Sequence, residues 1–368
     1  MNYVCDKDKC TGCMACVASC SQNAITIVDG LSSYNATINN ELCVNCGACH
    51  RVCQVCNPIE LQAPIYWKQG WALEDSVRST SSSGGYATAI AKAFVQVGAV
   101  CSCYFVNGEF RFKIAHTIEE LEGFSGSKYV KSNPIDMYDN VKKVLKDGES
   151  CLVIALPCQI AGLKKYINIK YQKLLYTVDL ICHGTPSPKL LDTYLRQHSK
   201  SLEECKNVRF RTKHKFGLLV DTDKNNDSGA EDSYILAFLH CLSYTDNCYA
   251  CPYAKKERVS DLTLGDSWGT ELGVQEREKG ISIALAQSEK GKELLAKAKI
   301  HIQEVDINRA IEANHQLRMP STKPQKWDFF FDSIKKNKSF DFTVFRICTK
   351  QYIKQIIKKT LPYLGIKL

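Results

Sequence analysis

Eight cysteines stand in two runs of identical spacing, and no other feature restricts the front of this chain as strongly. Cys10, Cys13, Cys16 and Cys20 read C-x2-C-x2-C-x3-C, and Cys43, Cys46, Cys49 and Cys53 repeat that spacing thirty-three positions on. Two-residue gaps make a tight loop whose three thiolates wrap one 4Fe-4S cubane, while the fourth thiol points at a neighbouring cubane. The expected ligand sets are therefore Cys10, Cys13 and Cys16 with Cys53, and Cys43, Cys46 and Cys49 with Cys20. On this reading the fourth cysteine of each run begins a short helix. The small residues Gly12, Ala15, Gly47 and Ala48 let backbone amides approach the cluster sulfurs, where hydrogen bonds raise the potential. Zinc sites usually join two separated C-x2-C knuckles, so four cysteines in one eleven-residue run disfavour them. The proline that usually follows the fourth cysteine is missing, with Ser21 and Gln54 in its place. Cys5 and Cys56 read as spare thiols, Cys56 being the one expected to confuse the ligand count.

Twenty cysteines in 368 residues also bear on compartment. In a small secreted domain they would suggest a disulfide scaffold, but this chain is long and opens MNYVCDKDKC, without an apolar export segment. A cytoplasmic setting with reduced thiols, and metal ligation, is the expectation. No stretch approaches eighteen uninterrupted apolar residues, so no spanning helix is expected. The formal net charge of +9 lies almost entirely from Lys335 onward, where eight lysines and Arg346 face Asp341 alone. The body is thus close to neutral, and a nucleic-acid groove is not expected.

The order of patterns suggests an α+β protein: a small bacterial-type two-cluster ferredoxin domain over 1–60, followed by a larger mixed α/β domain over 79–334. Residues 61–78 read as a linker and 335–368 as a basic amphipathic tail. In RSTSSSGGYATAIAKAFVQVGAV (78–100) a Ser/Gly-rich turn opens a helix with Ala87, Ile90, Ala91, Phe94 and Val97 on one face. That turn is either a seat for a phosphate or pyrophosphate, through free amides and the helix dipole, or a plain N-cap. No G-x-G-x-x-G or Walker A pattern occurs, which disfavours a Rossmann or P-loop site. Strand runs at Cys151–Leu156 and Leu174–Ile181 alternate with helices, so they should pair in parallel. Cys158 and Cys182 then sit at the carboxyl ends of adjacent strands, where α/β sheets place their sites. With the knuckle Cys248/Cys251 they add up to four ligands, enough for a third cubane; the competing readings are buried core cysteines and a redox-active disulfide at the knuckle.

Six segments together resemble the family of beta subunits of coenzyme F420 hydrogenase and dehydrogenase: SSSGG (81–85), GSKYVKS (126–132), LPCQ (156–159), DLICHGTPSP (179–188), CYACPYAK (248–255) and LGDSWG (264–269). The resemblance covers about 68–330. It implies an FAD in a non-Rossmann fold beside one cluster held by Cys158, Cys182, Cys248 and Cys251. Flavin contacts are implied for Arg78, Ser82, Ser83, Gly84, Gly85, Ser127, Lys128, Tyr129 and Asp266. Lys128 would stabilise a reduced flavin and His183 would donate a proton. The implied activity is an iron–sulfur flavin-dependent oxidoreductase acting on a deazaflavin (F420), a ferredoxin or another small-molecule donor or acceptor. Bacterial relatives imply a setting in cell-surface polysaccharide synthesis. Two other readings stand beside it: a subunit that relays electrons to a redox partner protein, and a scaffold whose clusters serve folding alone. In the tail, Ile353, Ile356, Ile357 and Leu361 oppose Lys350, Lys354 and Lys358, a pattern suited either to a peripheral membrane contact or to a helix capping the body.

Overall fold

The computed structural model describes residues 2–211, 216–221 and 231–360. The front of the chain forms an antiparallel sheet in the order β1 (Asn2–Tyr3), β3 (Tyr34–Ile38), β2 (Ile25–Asp29), with two short helices, Ala15–Ala18 and Ala48–Val52. Its own core is small: Val4, Ile25 and Ala36 pack with Cys10, Cys16 and Cys53, so apolar burial there depends on the thiols. Cys13 and Ala15 instead join the core of the larger domain, beside Met137, Tyr138 and Ile160. Gly162 makes this docking feasible. A Cβ at that position would lie 3.1 Å from the Cys13 sulfur and 2.8 Å from the Tyr138 hydroxyl.

The larger domain is built on eight strands: β4 (Tyr66–Ala72), β5 (Ala99–Val106), β6 (Glu109–Ala115), β7 (Cys151–Ala155), β8 (Leu175–Leu180), β11 (Leu262–Asp266), β12 (Ser282–Ala286) and β13 (Ile300–Gln303). A separate antiparallel pair, β9 (Val208–Arg211) and β10 (Phe216–Val220), lies between β8 and β11 in the chain. The sheet order is β13-β4-β12-β11-β8-β7-β5-β6. Its centre, β5, β7, β8 and β11, is parallel, and the outer strands are antiparallel. The run Cys151–Ala155 is buried at every position, as expected for a strand covered on both faces. The helix Pro157–Tyr166 follows β7 and the helix Pro188–Gln197 follows β8, which gives the parallel β7–β8 pairing expected from the alternation.

Two boundary expectations need correction. Residues 61–78 are not a linker: Tyr66–Ala72 is β4, paired on both sides inside the large sheet, and Asp75–Thr80 is helical. The pattern YWKQGWA lacks clean alternation because Gly70, where a Cβ would meet the His301 carbonyl oxygen at 1.9 Å, lets neighbouring backbone crowd that strand. The helix after the Ser/Gly turn ends at Phe94, and Val97 lies outside it, exposed. The tail does form helices, Phe340–Ile347 and Thr349–Thr360, and Phe340, Val344 and Cys348 enter the main core with Tyr352 packed against it. Ile353, Ile356 and Ile357 are about half exposed, so the apolar stripe is not what holds the helix to the body. Leu361 lies outside the described residues. Among the described residues no helix is long and apolar enough to cross a membrane.

One buried ion pair ties the sheet to the segment after the cysteine knuckle. Arg258, 1% exposed, donates to the Asp179 carboxylate of β8 at 2.8 and 3.1 Å and to the Leu180 carbonyl at 2.9 Å. The backbone of Arg258 also pairs with Gln62 in both directions, at 2.8 and 2.9 Å. Removing one member of such a pair strands the other charge in a dry interior. Arg258→Met is therefore expected to lower stability by about 3–5 kcal/mol, read as a fall in the urea unfolding midpoint of the iron-loaded protein.

Candidate functional site

The structure brings the front thiols together across the two runs. Burial raises the Cys16 thiol, and the charges of Cys13, Cys10 and Cys53 raise it further; Cys13 responds to Cys10 and Cys53 likewise and reaches about 11. Cys20, Cys43, Cys46 and Cys49 surround a small cavity of about 30 Å³ with otherwise mostly apolar walls, including Ala24, Ile25 and Ile38. Backbone amides approach the sulfurs, Gly12 to Cys10 and Ala24 to Cys20, both at 3.4 Å. Among the described residues no three His, Cys, Asp or Glu groups converge tightly enough for a single metal ion. Thiolates around one zinc ion share a centre about 2.3 Å away, whereas those of the second set stand around the walls of a shared hollow.

Two details differ from expectation. The third cysteines, Cys16 and Cys49, occupy the short helices, and the fourth, Cys20 and Cys53, lie at or just past their C-terminal ends. Cys5, and not Cys56 alone, crowds the first set. It is within hydrogen-bonding reach of Cys10 and Cys53 and lowers them to about 7 and about 5.

A third thiol set sits at the carboxyl ends of the parallel strands. Cys158 lies in the first turn of the helix after β7, Cys182 follows β8, and Cys248 and Cys251 belong to a tight turn around Asp246–Ala250. Burial holds Cys158 well above the ordinary thiol range, and Cys251, Cys182 and Cys13 raise it further. Burial pushes Cys182 to about 12, with Cys248 and Cys251 adding to it. Cys158 is thus the neighbour of Cys13 from the front as well as of its own set. The Cys248 sulfur has Thr245 Oγ1 at 3.6 Å, Asn247 Nδ2 at 3.7 Å and Thr185 Oγ1 at 3.9 Å, donors suited to a thiolate.

Beside this set opens a cavity of about 300 Å³ that Cys182 itself lines. Of the residues implied by resemblance, Ser82, Ser83, Gly85, Ser127, Lys128, Tyr129, His183 and Asp266 all contribute to its wall. Gly85, with φ of +90°, caps the helix Tyr86–Phe94 without a side-chain hydrogen bond, and Tyr86, Ala87 and Thr88 of the first turn face the cavity. Amides left open at a helix start, with the positive end of its dipole, suit a pyrophosphate. Ser82 Oγ accepts from the Ser127 amide at 3.0 Å, joining the two motif loops. Asp266, at the end of β11, pairs with Arg211 at 2.8 Å. Tyr129 stacks on Phe238 with ring centroids 4.4 Å apart.

Other implied contacts fall elsewhere. Arg78 turns away from the cavity, bonding the Gly280 carbonyl at 3.0 Å and the Glu276 carboxylate at 2.7 Å while covering the Trp71 ring. Gly84 does not line the wall; a Cβ there would meet the Gly70 oxygen at 2.5 Å, so its need is packing. Lys128 lines the wall, but its ammonium donates to the carbonyls of Gly123, Phe124, Ser125 and Gly126 at 2.8–3.1 Å, and burial pulls it below the ordinary lysine range. It therefore holds the 123–126 loop. His183 lies exposed at the mouth, where surrounding protein lowers its imidazole and the Asp266 charge opposes that. Sequence reasoning missed Arg211, Phe238 and Trp268, which sit outside or at the edge of the motifs, and Lys131, which was legible as the second lysine of GSKYVKS.

Two family models match parts of the chain. The family model for the carboxyl-terminal part of the coenzyme F420 hydrogenase/dehydrogenase beta subunit matches residues 148–309, and a 4Fe-4S dicluster domain matches 9–56. The chain is 21% identical over 346 residues, 88% of its length and 51% of the relative's, to the coenzyme F420-dependent sulfite reductase of Methanocaldococcus jannaschii. It is 22% identical over 187 residues, 48% of its length and 53% of the relative's, to the F subunit of the F(420)H(2) dehydrogenase of Methanosarcina mazei. The chain thus spans about half the length of these curated relatives. A chain of the F420-reducing [NiFe] hydrogenase complex from Methanosarcina barkeri superposes with a TM-score of 0.46 at 18% identity, covering 69% of this chain and 91% of that one. Fold, thiols and matches define an iron–sulfur protein with a dicluster front end. Its residues 148–309, somewhat less than half of the chain, are similar to the carboxyl-terminal part of coenzyme F420 hydrogenase/dehydrogenase beta subunits.

Cys182→Ser is expected to lose about four irons per chain, one cubane, while the front sets keep theirs. Iron and sulfide analysis of the anaerobic protein, with electron paramagnetic resonance of the reduced sample, measures this.

Proposed function

We propose that this chain is an iron–sulfur flavoprotein oxidoreductase acting on a deazaflavin or another small organic donor or acceptor. One observation carries the reading: Cys182 belongs both to the third thiol set and to the cavity wall, while Cys158 of that set adjoins Cys13 of the front. Bound cubanes would supply one-electron transfer and a bound FAD would exchange it for two-electron chemistry with an organic substrate.

The chain's own residues have separable tasks. Open amides of the helix Tyr86–Phe94 bind the pyrophosphate, and Ser82, bonded to Ser127, fixes the loop beside it. Arg211, paired with Asp266 and lying beside Tyr129, supplies a positive charge near the ring system. Trp268, 45% exposed, provides an aromatic face at the wall where a planar substrate can stack. His183 holds a proton at the solvent side of the mouth, where surrounding protein and Asp266 act on it in opposite directions. At the far end Cys46 is exposed, flanked by exposed Leu42 and Val44, which suits contact with a one-electron redox partner such as a ferredoxin.

That exposed end also favours a second reading, in which the chain relays electrons to a partner enzyme and has no substrate of its own. Bleaching of the flavin band by a reduced deazaflavin or nicotinamide, with the purified protein alone and without oxygen, is the outcome expected for an enzyme. Bleaching only after a second protein is added would support the relay. Absence of any flavin, native or reconstituted, would overturn both the cavity assignment and the enzyme.

A further inference from the structure

Between the first and third thiol sets lies one buried cation. Lys131 is 4% exposed, and its backbone amide is held by the Pro186 carbonyl at 2.8 Å. Its Nζ donates to the Thr11 carbonyl at 3.0 Å and stands 5.2 Å from the Tyr34 ring centroid. The stem passes Gly12, whose φ is +69°; a Cβ there would come within 3.1 Å of Lys131 Cδ and 2.9 Å of the Tyr34 ring. Among the described residues, no carboxylate pairs with the ammonium. A buried charge without a counterion is strongly disfavoured, so this one calls for an anion nearby. The groups that feel its charge are thiols from both sets, Cys10 on one side and Cys158 and Cys182 on the other.

A cubane held by four thiolates is a dianion, and it becomes a trianion on reduction. Two such anions side by side oppose each other's reduction, and a shared fixed cation relieves that opposition in a low-dielectric interior. We propose that Lys131 is the common counterion of the first and third cubanes, raising the potential of both and lowering the cost of both holding an electron together. It acts through the clusters as a positioning and tuning group, without touching substrate. The second set, Cys20, Cys43, Cys46 and Cys49, has only the exposed Arg51 beside it, which donates to the Cys46 carbonyl at 2.9 Å and is screened by water; unchanged in the Lys131 variants, it serves as an internal reference.

This inference rests on reading Cys158, Cys182, Cys248 and Cys251 as cluster ligands. The test is a potentiometric titration of wild type, Lys131→Met and Lys131→Gln, followed by electron paramagnetic resonance, with each cubane assigned through cysteine-to-serine variants. Glutamine keeps a donor for the Thr11 carbonyl and removes only the charge, so it decides the matter if the methionine variant fails to fold. The expected result is a fall of at least tenfold in the reduced-to-oxidised ratio of the first and third cubanes at fixed potential, about 59 mV for a one-electron couple. The second cubane should not move. Unchanged potentials in Lys131→Gln, or an equal shift of all three cubanes, would overturn the role of Lys131 with the third site intact. Only two cubanes in wild type would instead overturn the third site, and the sharing with it.

Discussion

Docking of the loop around Cys13 onto the helix Pro157–Tyr166 decides whether the two halves of the molecule can act as one. Cys13 and Ala15 are core residues of the larger domain, and Gly162 is small enough for the Cys13 sulfur to lie against that helix. The loop is then held from several sides. Lys131 takes the Thr11 carbonyl, Gln54 donates to the Thr11 hydroxyl at 2.9 Å, and Tyr138 donates to the Cys13 carbonyl. Because the same helix carries Cys158 in its first turn, the contact that buries the front loop also sets the first thiol group beside the third.

Cys10, Cys13, Cys16 and Cys53 are buried, and loss of water around the sulfur is the largest cause keeping Cys13, Cys16, Cys158 and Cys182 above their ordinary range. Ligation must therefore displace protons, and iron binding contributes directly to the stability of the parts it joins. The front domain shows this dependence most plainly, since its core consists largely of cysteines with a few small aliphatic residues. The larger domain has conventional resources: a sheet buried on both faces and the Arg258–Asp179 pair, which anchors the chain after the knuckle to the strand that leads into Cys182.

The dicluster front end was legible because covalent spacing alone limits which thiols can share a cubane. The placement of Cys158 and Cys182 at one edge was legible because β7 and β8 are continuous apolar runs that pair in parallel. Legibility failed where long-range packing sets the role. Tyr66–Ala72 does not alternate cleanly, and only its partners β12 and β13 make it a strand. Lys128 and Lys131 look equivalent in GSKYVKS, yet one ammonium is consumed by four carbonyls of its own loop while the other enters the gap between thiol sets. Arg78 belongs to a motif-bearing stretch, but Glu276, far along the chain, draws it away from the cavity.

Electron passage from the front of the molecule to the cavity requires iron cubes at three places and a flavin beside the last. Iron, acid-labile sulfide and flavin, quantified per chain after preparation without oxygen, test this most directly. About twelve irons with matching sulfide and one flavin are predicted, by four irons per cubane. Zinc in place of iron would contradict the redox reading from the front of the chain onward, and eight irons without flavin would confine it to the first sixty residues.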